Sequence, residues 1–393
     1  MKKEIILTFL YTLPLFSFNC EEYTQEGNIN VNNSKTISIS SIEEAIQDSI
    51  YFKEAKIINL ETIDESLLSE IRRIFMDDNK LFIYDGKMNE IFMFDTTGKY
   101  INKINRKGEG PGEYVQLSDF TIDPQKKQIV LLCAIPEKQM YFSYDGKLLK
   151  EEKNHEFYSR FSLDKNYIYF ERTNKNSQIH TLNKETKEKK ESMTPINIKN
   201  SYYTKGNSFT NCGNILFSRR FDNSIYELSD GLIQKKYDIN FKGHSFPKQL
   251  IDEADITVIK NECDEHEYIF SMSNVIENNK NILFYTNMGI FIYNKNTDVL
   301  KGYKQIQNTK LPIIDYPFIY YIPIENTNKI ACSIDEPSFI KHIAEQINNN
   351  PNSDKIKEIK SKYPNLIKEI TTIGEKIVDE NNPLLFIYEL KNE

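Results

Sequence analysis

The sequence predicts an all-β fold, a six-bladed β-propeller of four-stranded antiparallel blades with two helical insertions. A polar turn followed by four or five β-prone apolar residues recurs six times along the 393-residue chain. Further strand-like segments flank most of these copies. One such segment near each end of the chain completes the set of four strands for every blade. Short strands that repeat about every 40–50 residues are typical of propellers.

Each copy of the pattern defines one strand of a predicted blade. In chain order the copies are DDNKLFIYD (77–85), PQKKQIVLLC (124–133), LDKNYIYFE (163–171), NCGNILFSR (211–219), ENNKNILFYT (277–286) and ENTNKIACSI (325–334). In the first unit, SEIRRIFM (69–76) precedes the copy, and EIFMFDTTGKYINKI (90–104) supplies two more strands after it. Hairpin dipeptides such as Asp230-Gly231 provide the positive φ angles that tight antiparallel turns need.

The sixth blade is predicted to combine both ends of the chain. Its third strand is PLLFIYEL (383–390), and its fourth is AKIINLET (55–62), which lies upstream of the first unit. Pairing these segments removes exposed sheet edges. We therefore expect Ile57 and Phe386 to lie close together.

Two segments depart from the strand pattern and read as helical. Residues 247–265 precede the fifth blade, and residues 337–380 interrupt the sixth, where isoleucines recur near helical spacing. These helices either form part of a site or cap an apolar patch on the rim, and the sequence leaves both interpretations open.

The N-terminus resembles a bacterial lipoprotein signal. Two lysines precede an apolar run too short to remain in a membrane, and Cys20 occupies the position that receives lipid. We therefore predict a signal peptide at 1–19, a lipidated tether and lead-in at 20–50, and the propeller at 51–393. Plain secretion with an incidental cysteine is the alternative. The two glutamates after Cys20 resemble the tag that sends some Bacteroidetes lipoproteins to the outer face of the outer membrane.

The charge balance argues against a nucleic-acid partner. The chain has 50 Lys and Arg against 57 Asp and Glu, a formal net charge of −7, and so lacks a basic excess to displace phosphate counterions. The five cysteines show no CxxC spacing, which argues against a zinc knuckle or a thioredoxin-like pair.

A resemblance to a known family follows from three segments. KINRKGEGPGEYVQLSDFTIDPQKKQIVLL (103–132) resembles the NHL-like repeat, and DENNPLLFIYEL (379–390) resembles the closing strand of the six-bladed propeller lipoproteins of Bacteroidetes. Together with the signal, the resemblance covers nearly the whole chain. It implies a fold and an envelope location, but it supplies no reaction and no catalytic residues.

The irregular connections of the predicted propeller all fall on one face. They are the Gly-rich loop and both helical insertions, and because loops carry function more often than strands do, this face is the candidate site. Its arginines suit a carboxylate or sulfate, and its tyrosines suit a sugar or peptide, although both are also ordinary rim residues. The candidate ligand-binding residues are Arg106, Lys107, Glu113, Tyr114, Tyr158, Arg160, Arg172, Tyr203, Arg219, Arg220 and Asp222.

The chain carries no recognisable catalytic motif. Glu113 stands where a dinucleotide fingerprint needs its third glycine, and no GK[ST] or GxSxG sequence is present. His244 and His266 flank the acidic insertion, where a divalent cation is conceivable, but a solvated acidic helix explains the same residues. No cofactor is predicted.

These observations favour a monomeric, non-catalytic envelope lipoprotein. Its membrane contact is the lipid at Cys20, and its propeller face binds a peptide, glycan or protein partner. The alternative is a metal-assisted propeller enzyme of lactonase, lyase or hydrolase type, with ligands gathered from several blades.

Overall fold

The computed structural model describes residues 29–30, 34–53, 55–172, 177–196, 205–308, 317–377 and 381–392. Cys20 and the predicted signal peptide lie outside these ranges. Strands dominate the described part of the chain, and five α-helices accompany them.

Twenty-six strands are found in the described ranges. In the first half of the chain they are β1 (Ile29–Asn30), β2 (Lys35–Gln47), β3 (Lys56–Asn59), β4 (Ile71–Asp77), β5 (Lys80–Asp85), β6 (Glu90–Asp95), β7 (Tyr100–Ile104), β8 (Gln116–Asp123), β9 (Gln128–Ile135), β10 (Lys138–Ser143), β11 (Leu148–Lys153), β12 (Arg160–Leu163) and β13 (Tyr167–Glu171). In the second half they are β14 (Ile179–Asn183), β15 (Lys189–Ser192), β16 (Phe209–Asn211), β17 (Ile215–Phe217), β18 (Ser224–Ser229), β19 (Leu232–Asn240), β20 (Met272–Glu277), β21 (Asn281–Thr286), β22 (Gly289–Asn294), β23 (Val299–Gln307), β24 (Ile322–Glu325), β25 (Lys329–Ile334) and β26 (Leu384–Glu389). Each copy of the sequence pattern forms a strand as predicted, namely β5, β9, β13, β17, β21 and β25.

The strands form four sheets within the described ranges. Two have four antiparallel strands each, in the orders β8-β9-β10-β11 and β12-β13-β14-β15. The third has eight strands in the order β3-β26-β25-β24-β4-β5-β6-β7. The fourth has ten, nine in the order β16-β17-β18-β19-β2-β23-β22-β21-β20 and β1 beside β19. The predicted set of six separate four-stranded sheets is therefore not confirmed.

Two parallel pairings enlarge the third and fourth sheets. β24 pairs with β4 over only two positions, Ile324↔Ile74 and Glu325↔Phe75, and so joins two antiparallel groups of four strands. β2 lies between β19 and β23 and is parallel to both, which joins two further groups. The sequence places these residues in the lead-in because KTISISSIEEAIQ is mostly polar.

The two ends of the chain meet as predicted. β26 pairs with β3 in antiparallel register, and Phe386 lies opposite Ile57. β26 pairs with β25 on its other side, so residues from both ends complete one group of strands. Both side chains belong to a buried apolar cluster that also contains Ile340 and Ile370 of the helical segment.

Four of the five α-helices lie in the predicted insertions. They are α2 (Ile256–His266) in the first, which ends one residue beyond its predicted bound, and α3 (Ser338–Asn349), α4 (Asp354–Lys362) and α5 (Pro364–Gly374) in the second. The short helix α1 (Asp48–Tyr51) follows β2 and is not among the predicted helices. Asp255 caps α2 by accepting a hydrogen bond from the Thr257 N–H at 2.8 Å, and Ser353 caps α4 by accepting one from the Ile356 N–H at 3.3 Å. Among the described residues, no helix has the length and apolar character that a membrane span requires.

Candidate ligand-binding site

Three charged side chains from different strands meet in the interior. Arg73 of β4 donates from Nη1 to Asp119 Oδ2 of β8 at 2.6 Å, and from Nη2 to Glu325 Oε2 of β24 at 2.9 Å. The side chains of Arg73, Asp119 and Glu325 are at most 4% exposed. These three residues form the central ion-pair cluster.

The central ion-pair cluster also binds the backbone of two further strands. Asp119 Oδ2 accepts a hydrogen bond from the Phe161 N–H of β12 at 3.1 Å, and Glu325 Oε2 accepts one from the Asn211 N–H of β16 at 3.0 Å. The five strands involved come from all four sheets, so the cluster connects the whole β-structure. Burial alone would lower the pKa of Arg73, but the charges of Asp119 and Glu325 raise it above its ordinary value. The guanidinium is a permanently charged structural group.

A second set of polar side chains lies beside this cluster, at or near the starts of β12, β16, β20 and β24. We call it the polar entrance, and it consists of Arg160, Lys205, Asn207, Asn274 and Tyr320. Arg160 donates to Asn207 Oδ1, and the Asn207 N–H donates to Asn274 Oδ1 at 2.8 Å. Asn274 Nδ2 in turn donates to Tyr320 Oη at 3.1 Å. Lys205 Nζ lies 5.4 Å from the centroid of the Tyr320 ring. The asparagines are buried and Lys205 is exposed, so the set leads from the interior to the surface.

The backbone at Asn274 aims this amide into the polar entrance. Asn274 has a φ of +53°, and the pairing of β20 with β21 shifts register between Ser273 and Ile276. Such bulges redirect side chains, and positive φ at a non-glycine residue is concentrated at functional sites. Tyr321 fixes the residue, because Asn274 Nδ2 donates to Tyr321 O and Tyr321 Oη donates to Asn274 O, both at 2.8 Å. The amide is therefore preorganised.

Arg160 and Lys205 bring positive charge to the polar entrance. Within the described residues, neither forms an ion pair with a carboxylate. Arg172 and Arg219, by contrast, pair with Glu156 at 3.0 Å and with Asp222 at 2.7 Å. A guanidinium with free donors is suited to bidentate binding of a carboxylate or sulfate. The polar entrance thus has the chemistry of an anion-binding site.

The Gly-rich loop, predicted as part of the site, is held by its own contacts. Glu113 Oε2 accepts a hydrogen bond from the Gly110 N–H at 2.9 Å. Tyr114 is fully buried and donates to Asn89 O at 2.8 Å. Lys107 pairs with Glu90 at 3.1 Å, and Arg106 is exposed. Glu113 and Tyr114 therefore shape the loop and fill the core beneath it.

Tyr158 and Arg172 belong to a closed polar cluster in the β12–β15 sheet. The Tyr158 ring stacks on Phe170 at 4.3 Å between centroids, and its hydroxyl lies 2.9 Å from His180 Nδ1. Arg172 Nη1 lies 2.6 Å from His180 Nε2, while Arg172 Nε pairs with Glu156. Because these groups satisfy one another, the sheet contributes Arg160 rather than Tyr158 or Arg172 to the polar entrance.

The remaining predicted residues connect neighbouring sheets. Arg219 binds Asp222 and also donates to Gln178 Oε1 at 2.8 Å, so it joins the segment after β17 to the residue before β14. Burial lowers the pKa of Arg220, while the charge of Glu171 acts in the opposite direction. Tyr203 lies outside the described residues. Of the predicted set, Arg160 is the member that lies in the polar entrance.

The described residues offer no ready set of metal ligands. No group of three or more His, Cys, Asp or Glu side chains in the described ranges is arranged to hold a metal ion. At the acidic insertion, His244 lies 3.8 Å from Glu267 and His266 lies 3.7 Å from Glu262, as separate pairs.

The sequence profile described as a domain of unknown function, DUF4934, matches residues 28–389. The chain belongs to this family. No curated protein matches the sequence significantly.

Two crystal structures resemble this DUF4934 chain in fold. A protein from Bacteroides fragilis described as exported has 19% identity and a TM-score of 0.68, with 91% of this chain and 100% of that chain covered. A DUF4221 member from Bacteroides vulgatus has 10% identity and a TM-score of 0.50, with 87% and 98% covered. The WD40 domain of Neurospora crassa Pan2 reaches a TM-score of 0.38 at 11% identity, over 67% and 71% of the chains. A likeness this weak identifies neither fold nor function.

The DUF4934 sequence does carry a signal for the residues that the prediction missed. Arg73 precedes the apolar run of β4, Asp119 lies between two apolar residues of β8, and Glu325 ends β24, so charges of opposite sign occur in different strands. Such residues are almost never buried unless they are paired. Asn274 has no comparable signal, because its importance comes from backbone geometry.

Proposed function

We propose that this DUF4934 protein is a propeller-type binding protein of the cell envelope, whose polar entrance takes a ligand through an anionic group. The observation that carries the proposal is the pair of cations, Arg160 and Lys205, that have no carboxylate partner among the described residues and lie on a buried scaffold of asparagines. A rigid β-structure whose cationic side chains are already positioned at the surface is suited to recognition of an anionic ligand. The role that fits is therefore binding without catalysis.

Six four-stranded blades are the interpretation that best fits the pairing. The eight-stranded sheet divides at the two-position contact between β24 and β4, and the ten-stranded sheet divides at β2. Each resulting group contains four antiparallel strands, and the two four-stranded sheets supply the rest. The first strands of the groups then surround a common axis, which the central ion-pair cluster fills.

The ligand that we propose carries a carboxylate or sulfate. Arg160 provides planar paired donors, Lys205 adds a flexible charge, and Tyr320 supplies an aromatic face with a hydroxyl. Because the central ion-pair cluster lies next to the polar entrance, we expect the ligand to end there rather than pass through the axis.

The envelope location rests on the leader sequence and on the structural relative described as exported. We propose that lipid on Cys20 tethers the protein to the outer membrane. Replacing the cysteine in a Cys20→Ser variant should move the protein from the membrane fraction to the soluble fraction, as measured by immunoblotting. Unchanged membrane retention would show that the lipid assignment is wrong.

The binding proposal is tested by screening the purified protein on an array of peptides with free and with amidated carboxyl termini. We expect binding to peptides with a free carboxyl terminus, loss of that binding in Arg160→Met, and retention in Arg106→Met. Arg106 is an exposed arginine in the Gly-rich loop and is the matched control. Equal binding by both variants, or no binding to any peptide with a free carboxyl terminus, contradicts the proposal. Turnover of a small ester or lactone that a chelator abolishes would favour the metal-assisted enzyme instead.

A further inference from the structure

A groove runs along α5, between this helix and the edge of the eight-stranded sheet. Two adjoining depressions of about 470 and about 350 Å³ both include Asn59, Thr97 and Lys376, so they form one continuous groove. Small-ligand sites have volumes of roughly 300–1,000 Å³. We call this feature the α5 groove, and it is large enough for a ligand of several rings.

The two walls of the α5 groove are built from regular elements. On the helix side, Lys368, Thr372 and Lys376 follow one another at intervals of four residues, which places them along one side of α5 and its C-terminal extension. On the sheet side, the turn at Gly98 approaches β3 closely. Gly98 has a φ of +94°, and a Cβ there would lie 2.2 Å from the Asn59 carbonyl oxygen. The sheet-side wall therefore depends on a glycine at this turn.

The α5 groove collects positive charge in an acidic protein. Lys99, Lys368 and Lys376 line it, and none of them forms an ion pair within the described residues. Lys362 on the neighbouring helix α4 shows the usual arrangement, since it pairs with Glu358 at 2.7 Å.

Two carboxylates also line the α5 groove. Glu61 Oε2 accepts a hydrogen bond from the Tyr100 N–H at 2.9 Å, and Glu369 lies on the helix side. Three lysines against two carboxylates leave the described lining of the groove with a small excess of positive charge.

An amide side chain borders both depressions of the α5 groove. Asn59 is half-buried there, and a side-chain amide can form hydrogen bonds with the hydroxyls of a ligand. The hydroxyls of Thr97 and Thr372 lie along the same groove.

We propose that the α5 groove binds an acidic oligosaccharide. Its amides and hydroxyls match the hydroxyl groups of sugar rings, and its lysines match carboxylates or sulfates on those rings. Ile57 and Ile373 are the apolar members of the larger depression, which leaves little surface for the side chains of an apolar peptide. This site is separate from the polar entrance and is independent of the function proposed there.

The experiment titrates purified protein with three oligosaccharides by isothermal calorimetry. Oligogalacturonate carries carboxylates, a heparin-derived oligosaccharide carries sulfates, and a maltooligosaccharide is the neutral control. We expect one or both acidic probes to bind, the neutral probe to bind at least tenfold more weakly, and affinity to fall as salt rises. Comparison of the two acidic probes identifies the preferred acid.

Matched double variants locate the binding. Lys368→Glu with Lys376→Glu should weaken binding of the acidic probe at least tenfold. Lys355→Glu with Lys357→Glu makes the same charge change on α4, outside the α5 groove, and should change affinity less than twofold. Thermal unfolding of both variants checks that they fold. Arg160→Met should bind the acidic probe as well as the unmodified protein does, so failure at one site is distinguishable from failure at the other.

Three outcomes overturn this proposal. They are absence of binding to both acidic probes, equal weakening by the two double variants, and equally strong binding of polyglutamate that Lys368→Glu with Lys376→Glu weakens to the same extent, which would mean that the groove recognises charge alone.

Discussion

Arg73 on β4 and Arg160 on β12 lie in different sheets of one β-structure and have opposite surroundings. Arg73 is buried and binds two carboxylates as well as the Phe120 carbonyl oxygen at 3.0 Å. Arg160 is half-buried and contacts one amide, Asn207. The comparison teaches that an arginine whose donors are all used holds the sheets together, whereas one with free donors is available to a ligand.

The largest loss of folding stability is expected from Arg73→Met. It leaves Asp119 and Glu325 buried without a counter-charge, and breaking a buried ion pair in this way destabilises proteins by about 3–5 kcal/mol. The free energy of unfolding from urea titration measures the loss.

The neighbouring residue provides the control for Arg73. Arg72 is exposed, and its ion pair with Glu70 at 3.0 Å is of the surface kind. We expect Arg72→Met to change stability by less than about 1 kcal/mol. Similar losses in the two variants would mean that the central ion-pair cluster does not hold the sheets together.

An intermediate loss of stability is expected when Glu277 is replaced. Its carboxylate contacts side chains of β19 and Lys295, which directly follows β22. It accepts a hydrogen bond from Tyr237 at 2.6 Å and pairs with Lys236 at 2.8 Å and Lys295 at 2.5 Å. Burial alone would raise its pKa, but these partners lower it below the ordinary value of 4.5. The carboxylate therefore stabilises the folded state above that value, and this contribution is lost as the pH falls through the lowered pKa.

Glu277→Gln should accordingly lower the free energy of unfolding by about 1–2 kcal/mol at neutral pH. The difference from the unmodified protein should shrink as the pH falls below 4.5. Denaturation curves across this pH range measure the difference. A difference that stays constant with pH would show that ionisation of Glu277 contributes nothing.

Much of the fold is predictable because strands leave a local signal. The six apolar copies, the turn residues between them and the pairing of Phe386 with Ile57 all follow from the sequence. The position of β2 does not follow from the sequence, because it depends on parallel pairing with two distant strands. Among the side chains of β2, only those of Ile37, Ile39 and Ile46 are buried. A mostly polar segment that bridges two sheets resembles a linker in sequence.

The candidate site was less predictable because the same residue types serve both structure and binding. Tyr114 and Tyr158 read as exposed rim residues but are buried, since their hydroxyls find partners within the fold. Arg160 is a predicted candidate that lies in the polar entrance, whereas Asn274 depends on a bulge that the sequence does not announce. What distinguishes the proposed binding residue is the set of donors left unused among the described residues, which appears only after folding.

The smallest effect on stability, and the largest on recognition, is expected from Arg160→Met. Its free energy of unfolding should fall by only about 1 kcal/mol, because Asn207 Oδ1 loses one hydrogen-bond donor. Calorimetric titration with the peptide that binds most strongly on the array is the most direct test. We predict at least tenfold weaker affinity, because a charge-assisted pair worth about 1.5–3 kcal/mol is removed. Unchanged affinity in a fully folded variant would contradict the assignment of the polar entrance as the binding site.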